Sequence, residues 1–570
     1  MNKSSVSVRF LGTFLRLAAI LVLAALPLAG LPAQTAIAAP PEKPLLDAPP
    51  SVSLDVPPTA FIGENVSFTV TFDNTDSAPG YGPLIDLVIP SNGPDGPPNP
   101  DGLAFLSATY LGSNIEHTVL TVPAGGCIAH PYMMDGITQA PVQVCGLTPG
   151  DTFVALRLPF GSFTPDQPPL TVTVNTSMSN LADLGTPLTI QARGAYQYGY
   201  NPLDDFYSDD PVATLSAWTN SSVIPTLFTL EKTYSGPEDE TATGPNYPRQ
   251  YTVTAQIAPG QTLSPFTLTD NLPDNMQFIS LISPVSGCSL PSIAAPGGTL
   301  SCAFASASGT VSMTFSYYIP LRDLRAASVI DPATGDDVLS CNNASGGGTW
   351  TPIDPRDLPA STQTIDELVC EHTLTDKSIA TQKGVAVVGG FQPAPGRILE
   401  YTVDIQVSDF FAFDQVLVTD TFSDGQRWDT TFAPTLQILG NPASLNSAGN
   451  FDAANYTVDI SQIGNSGTPG DGTDGSTTVT FRISDEMISR STGGRLIGGC
   501  LPADGTGTPG DPDCGTYNNG ATTARIVFRT VIQENFSDTF PSGDASVDQG
   551  DVLNNIESVA GRILSTSDAA

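Results

Sequence analysis

The chain has 570 residues, with Lys+Arg 21 against Asp+Glu 57, and with Gly 53, Pro 51, Cys 8 and His 3. A formal net charge of −36 excludes a nucleic-acid binder, whose phosphates demand Lys and Arg, and excludes electrostatic docking on anionic lipid. Hydrophobic residues at 40% are too many for a disordered chain, while so much Gly and Pro leaves little room for long helices, so an all-β, turn-rich chain of several domains is expected.

The first element is a targeting segment. Lys3, Arg9 and Arg16 form a positive region, Leu17 to Leu31 is an apolar run, and Ala36-Ile37-Ala38 offers a cleavage site. Residues 1–38 therefore read as a secretory signal peptide, and the mature protein as secreted, extracellular or held at the cell surface. Pro27, Gly30 and Pro32 interrupt the run, which is shorter than the ~20 residues a span needs, and no later stretch reaches that length. No membrane span is expected in the mature chain.

Three segments then repeat one pattern of short strands. Residues 39–222 form a first module, opening with SVSLDVPPTAFIGENVSFTVTF at 51–72 and PLIDLVIP at 83–90. Residues 223–362 form a second, with LFTLEKTYSG at 227–236, RQYTVTAQI at 249–257 and PFTLTDNLPDNMQFIS at 265–280. Residues 363–570 form a third, with HTLTDKSIAT at 372–381, RILEYTVDIQV at 397–407 and FDQVLVTDTFSDG at 413–425, and with long acidic Gly/Pro-rich loops at 465–476 and 502–520. Each strand alternates with period two and the turns between carry Gly, Pro, Asn and Asp, which is the signal of β-sandwiches. Polar, Pro-rich stretches at 201–222 and 345–362 serve as linkers.

The cysteines fall into sequence-local pairs: Cys127 with Cys145, Cys288 with Cys302, Cys341 with Cys370, and Cys500 with Cys514. In an exported chain these read as four disulfides closing loops, although eight cysteines allow 105 connectivities. None has CxxC spacing, which argues against zinc ribbons and redox sites.

The Tyr-Thr-Val strand, the strand ending in TDNLPDNMQFIS and the LEKT strand before them resemble the bacterial surface conserved-repeat domain (domain of unknown function 11) and its relative, the isopeptide-forming domain of fimbrial proteins. The resemblance covers most of the second and third modules and, more loosely, the first. It implies tandem immunoglobulin-like β-sandwich modules in a structural or adhesive surface protein, and no enzyme.

In the isopeptide-forming relatives a first-strand lysine joins a last-strand asparagine, assisted by a middle-strand acid. Carried onto this sequence, the sets are Lys232, Asp270 and Asn342 in the second module, and Lys377, Asp420 and Asn554 in the third. Parity supports the second: Lys232 shares its strand face with Phe228, Leu230 and Tyr234, and Asp270 shares its face with Phe266, Leu268 and Leu272. Asp420 lines up with Val416, Val418 and Phe422. Lys377 aligns with Ile379 but against Leu374, and a one-residue slip would exchange Asn342 for Asn343 or Asn554 for Asn555. The first module has no first-strand lysine, and Asp86 stands four residues before Pro90 where Asp270 stands three before Pro273, so no bond is expected there. The alternative reading of each Lys–Asp set is a buried ion pair that fixes strand register without a bond.

Other constellations are weaker. The acidic loops at 331–337 and 470–476 supply oxygens that calcium wants but lack the EF-hand spacing, and read as solvated turns. No metal or other cofactor is expected. His117, His130 and His372 are scattered, with no HExxH and no GxSxG, and His130 near Cys127 reads as packing. Tyr196, Tyr198 and Tyr200 alternate and offer an aromatic platform, which makes a secreted glycan-binding protein the rival to a structural or adhesive one. The partners expected are other surface or matrix components.

Overall fold

The computed structural model describes residues 48–564 apart from 94–99, 136–137, 139, 201–213, 237–241, 331–338, 354–355, 357–362, 375–376, 440–445, 460–474, 500–522 and 538–543; of 363–374 only the backbone is described. The signal-peptide segment, the calcium-candidate loop at 331–337 and most of that at 470–476 lie outside these residues. The chain divides into Met1–Ala48 and Pro49–Ala570, and the latter carries all the strands described below.

Three two-sheet antiparallel sandwiches follow one another. In the first, one sheet holds β1 (Ser51–Asp55), β2 (Asn65–Asp73), β4 (Leu103–Tyr110) and β8 (Leu170–Met178), in the order β1-β2-β8-β4. The opposing sheet holds β3 (Pro83–Ile89), β7 (Thr152–Arg157), β9 (Leu188–Tyr196) and β10 (Thr219–Thr226), in the order β10-β9-β3-β7. A hairpin of β5 (Cys127–Met134) and β6 (Pro141–Cys145) lies on the outer face of that second sheet. It explains why β3 is buried along its whole length: Ile85, Leu87 and Ile89 face the sandwich core, while Leu84 and Val88 face the hairpin.

The second sandwich repeats the plan. β11 (Phe228–Ser235), β12 (Arg249–Ile257), β16 (Thr310–Tyr318) and β14 (Gln277–Ser283) make one sheet in that order. β15 (Gly298–Phe304), β13 (Phe266–Leu272), β17 (Leu339–Trp350) and β18 (Gln363–Leu374) make the other. The third uses β19 (Ile379–Val387), β20 (Ile398–Val407), β24 (Thr523–Ile532) and β22 (Thr435–Leu439) opposite β23 (Thr477–Arg482), β21 (Ala412–Phe422) and β25 (Asn555–Ile563). Among the described residues one short helix, Ile483–Ser489, continues from β23 and buries Ile483 and Met487 against the third core. Strand alternation drives the packing: in β12 the residues Tyr251, Val253, Ala255 and Ile257 are buried and their neighbours are not. Each large apolar side chain so removed from water contributes roughly 1.5–3 kcal/mol.

The strand pairing shifts the boundaries read from the sequence. Gln363–Leu374, assigned above to the third module, pairs along its whole length with β17 of the second, from Leu339 opposite Leu374 to Trp350 opposite Gln363. Likewise Thr219–Thr226 spans the boundary placed after residue 222 and pairs with β9 of the first module. The cause is shared: the last strand of one sandwich leads almost directly into the first strand of the next, with one residue, Leu227, between β10 and β11. A linker's composition does not mark that point. The cores of the first two sandwiches merge into one apolar cluster, and the third has its own.

The second and third sandwiches meet through two loops. Asp409, in the β20–β21 turn, accepts hydrogen bonds from the Asn246 backbone N–H (2.6 Å), Asn246 Nδ2 (2.9 Å) and the Gly499 N–H (3.2 Å). Its own N–H donates to Thr243 O at 2.9 Å, and the Tyr247 hydroxyl donates to Val407 O at 3.1 Å. Burial outweighs these donors and pushes the Asp409 carboxyl up to about 6.

Candidate functional site

Lys232 sits on β11 opposite Val253 of β12, on the face that points into the sandwich. Asp270 comes from β13 in the facing sheet. Across from Asp270 on β17 is Ala344, and two residues before it, on the same face, is Asn342. The three side chains meet in the core. Lys232 Nζ lies 2.5 Å from Asp270 Oδ2 and donates to the backbone carbonyl of Asn342 at 3.0 Å, while the Tyr251 ring lies beneath it at 4.4 Å. Both charged side chains are 0% exposed. Burial raises the Asp270 carboxyl above its usual range, opposed chiefly by the Lys232 charge.

The Asn342 amide is near enough to Asp270 to favour its charged form, yet Asn342 Oδ1, Asn342 Nδ2 and Asp270 Oδ1 make no hydrogen bond of good geometry. A buried polar atom left so costs about 1–3 kcal/mol. Amine, carboxylic acid and primary amide are thus held dry and together, the amide against the Asp270 carboxyl.

The third module builds the same site with different residues. Asp420 on β21 is fully buried, but Lys377 and Asn554 do not reach it. Lys377 precedes β19, and its carbonyl accepts from the hydroxyls of Ser408 and Thr243 at the inter-module joint. Asn554 is exposed, and its backbone pairs with Ser423. Their places are taken by Lys383 and Asn555. Lys383 Nζ lies 2.6 Å from Asp420 Oδ2 and 3.3 Å from Glu557 Oε2, and donates to Asn555 Oδ1 at 2.7 Å. Lys383 stands opposite Val403, as Lys232 stands opposite Val253, and Asn555 stands two residues before Glu557, the residue across from Asp420.

The reason for the misassignment is the strand boundary. HTLTDKSIAT joins the end of β18 to the start of β19, so the first strand of the third sandwich runs later than the motif implied. A signal was available, since Lys383 shares parity with Ile379, Val385 and Val387. Burial pushes the Asp420 carboxyl up to about 6, against the pull of Lys383 and with Glu557 adding to the rise.

Among the described residues, the first module has no such site. One residue of offset turns Asp86 to the outer face of β3, under the hairpin, and Leu87 points into the core instead. There Asp86 Oδ2 accepts from Arg193 Nε (2.9 Å) and Oδ1 from His130 Nε2 (2.8 Å). His130 Nδ1 accepts the N–H groups of Tyr132 and Met133, which puts its proton on Nε2. Arg193 stacks on Trp218 at 4.4 Å. Sequence spacing showed that Asp86 differs; it carried no sign of these partners.

Cys127–Cys145 and Cys288–Cys302 are bonded, and Cys341 is in a disulfide. Cys370 is on β18 opposite Asn343, with its side chain outside the described set, as are Cys500 and Cys514. The aromatic platform does not form as drawn: Tyr196 is buried, edge-on to Phe72 and Tyr200, and β9 ends there, so Tyr198 and Tyr200 lie in the turn.

No protein-family model matches the chain, and no curated protein matches it. Among solved structures it is similar to a C-terminal fragment of the major pilin GBS80 of Streptococcus agalactiae, at 11% identity over 57% of this chain and 91% of that one, with a TM-score of 0.19. It is similar to the full-length major pilin SpaD of Corynebacterium diphtheriae at 11% identity over 73% and 81%, TM-score 0.21. The surface protein ACE of Enterococcus faecalis matches at 9% over 59% and 94%, TM-score 0.14. Likeness this distant says nothing about what the chain binds.

Proposed function

We propose that the protein is an exported structural or adhesive component of a cell surface or extracellular matrix, whose second and third sandwiches lock themselves with an isopeptide bond: Lys232 to Asn342, and Lys383 to Asn555. The observation that carries this reading is the fully buried Lys232–Asp270 pair with the buried Asn342 amide beside Asp270. A plain ion pair accounts for the lysine and the aspartate; it does not by itself account for the fully buried Asn342 beside them.

The chemistry balances within the site. A proton passes from the Lys232 ammonium to the Asp270 carboxylate across their 2.5 Å contact, leaving a neutral amine and a neutral acid. The amine attacks Asn342 Cγ while the Asp270 acid hydrogen-bonds the oxygen on which negative charge develops; one proton of the attacking nitrogen then passes by way of the Asp270 carboxyl to the amide nitrogen, which leaves as ammonia. One C–N bond forms and one breaks, with no oxidant and no other reactant. Fixed positions in a packed core replace an enzyme. In the third module Asp420 has the role of Asp270.

Three sandwiches in series, the second and third each closed by such a bond, suit a part that bears load and resists proteases. The test is the intact mass of the reduced, exported protein against the sequence mass from Ala39 onward. Each bond makes it one ammonia lighter than the sequence requires, and Lys232→Ala and Lys383→Ala should each restore one. A mass equal to the sequence mass would leave two buried ion pairs and no cross-link.

A further inference from the structure

We propose that a cavity on the outer face of the first sandwich binds a primary ammonium carried on an aliphatic stem, with Asp151 as its counter-ion. The cavity, about 300 Å³, opens between the turn after β6 and the outer face of β9. Val88, Pro90 and Pro187 give it apolar walls, and Asn92, Thr148, Thr189 and Gln191 give it a neutral polar rim. Among the described residues that line it, Asp151 is the one charged group.

The local fold puts the carboxylate there. Gly150, with φ of +91°, turns the chain so that Asp151 N–H donates to the Thr148 carbonyl, and β7 starts at the next residue, with Thr152 opposite Ile89 at the end of β3. The Asp151 side chain thereby falls beside Ser91 and Asn92, whose backbone N–H groups favour its charged form. A Cβ on Gly150 would overlap the Asn92 amide, so the turn and that rim residue are packed together.

Asp151 is 7% exposed, yet among the described residues no cation of the chain stands against it. Three other buried aspartates have one: Asp86 has Arg193, Asp270 has Lys232 and Asp420 has Lys383. Asp409, which also lacks a cation, instead accepts three hydrogen bonds from the chain. At Asp151 the missing charge has a way in from solvent, and a net charge of −36 draws cations to the surface. The site also selects among cations. Asp151 Oδ1 is enclosed by the chain, so the carboxyl offers the cavity only its other oxygen. That suits a compact ammonium better than the planar fork of a guanidinium, which bonds both oxygens at once. The remaining ammonium protons find neutral acceptors at the rim, and the apolar walls cover the methylenes of the stem. Burial pushes the Asp151 carboxyl up to about 6, so binding to the carboxylate has a signature: affinity should fall about tenfold per pH unit below 6 and level off above it. The adjoining turn also carries Asp101, which accepts the Gly93 N–H and faces Arg356 at 3.4 Å, so the signature is assigned by its loss in Asp151→Asn.

The probe is Nα-acetyl-lysine methylamide, titrated calorimetrically into the oxidised, exported protein at physiological salt. Nα-acetyl-norleucine methylamide is its uncharged match, and cadaverine represents a free amine. The expected result is saturable, millimolar binding of the lysine probe, weakened about tenfold or more in Asp151→Asn. Asp55→Asn, which removes the same charge from an exposed position on the opposite sheet, should leave it unchanged. Gln191→Lys sets an ammonium of the chain at the rim and should also block the probe, so a folding defect in Asp151→Asn leaves the proposal testable. Tighter binding of the lysine amide than of cadaverine would assign the ammonium to a peptide chain, and the reverse to a free amine. Equal binding by wild type and Asp151→Asn, equal binding of the lysine and norleucine probes, full binding in Gln191→Lys, or no binding at about 10 mM probe overturns the proposal. None of these readouts depends on whether the isopeptide bonds form.

Discussion

Lys232 and Lys383 stand at the same register position, each directly across from the valine of a Tyr-Thr-Val run: Lys232 opposite Val253, Lys383 opposite Val403. In each case the tyrosine of that run, Tyr251 or Tyr401, turns its ring toward the ammonium, at 4.4 Å and 6.0 Å. The two sites are one design in two degrees of closure. Water is excluded from the first and reaches the edge of the second, where Glu557 adds a carboxylate that the second module replaces with Ala344.

That shared geometry makes the acid decisive. Asp270→Ala should abolish the ammonia loss assigned to the second module while leaving that of the third intact, and Asp420→Ala should do the reverse. Peptide mapping by mass spectrometry distinguishes them, since a joined Lys232–Asn342 appears as one branched peptide. If either variant still joins its own module, the acid has no part in the reaction.

Much of this was legible in the chain. Period-two alternation sufficed for the sandwiches, and parity placed Lys232 and Asp270 on inward faces because each lies well inside a strand, while the choice between Asn342 and Asn343 stayed open to a one-residue slip. Lys377 failed at a strand junction, where alternation resets and parity has no fixed origin. The face of Asp86 was visible in its spacing from Pro90, but its partners His130 and Arg193 come from distant strands and left no local trace. The same holds for Asp409 and Asn246, which belong to loops of different sandwiches and follow no periodicity.

Asp86 is the only buried carboxylate described under the β5–β6 hairpin, and it serves two donors there. Asp86→Ala leaves the Arg193 guanidinium and the His130 Nε2 proton facing an emptied apolar pocket. Losing one member of such a buried set costs about 3–5 kcal/mol. Urea denaturation should show that loss in the first sandwich, while Asp86→Asn, which keeps an acceptor for one donor, should lose less. Equal stability of wild type and Asp86→Ala would mean that the cluster contributes nothing.

The joint between the second and third sandwiches titrates. Folding raises the Asp409 carboxyl from 3.8 to about 6, so the folded state holds this proton more tightly than the unfolded chain does. The contribution to stability is therefore complete below about 4 and is lost as pH rises through about 6, an effect of roughly 3 kcal/mol at most. Asp409→Asn removes the titration and keeps an acceptor. The stability of wild type relative to this variant should fall between pH 4 and pH 7, and a difference that stays flat would show that the carboxyl titrates alike in both states.

Gly244 makes the same joint sensitive to a single methyl group. Its φ of +123° is a conformation that other residues rarely adopt, and a Cβ there would overlap the Asp409 side chain. Asp409 cannot move aside without giving up the Asn246 and Gly499 donors. Gly244→Ala should thus combine backbone strain with overpacking, a destabilisation of about 3–5 kcal/mol. Gly260→Ala is the control, because Gly260 also has positive φ (+75°) but a Cβ there meets nothing within 4 Å. It should cost only the backbone share, about 1 kcal/mol. Thermal unfolding of the two variants, with limited proteolysis to find where the chain opens, separates the causes. Equal losses would assign the effect to φ alone, and a much larger loss at Gly244, with cleavage at the joint, is the outcome expected.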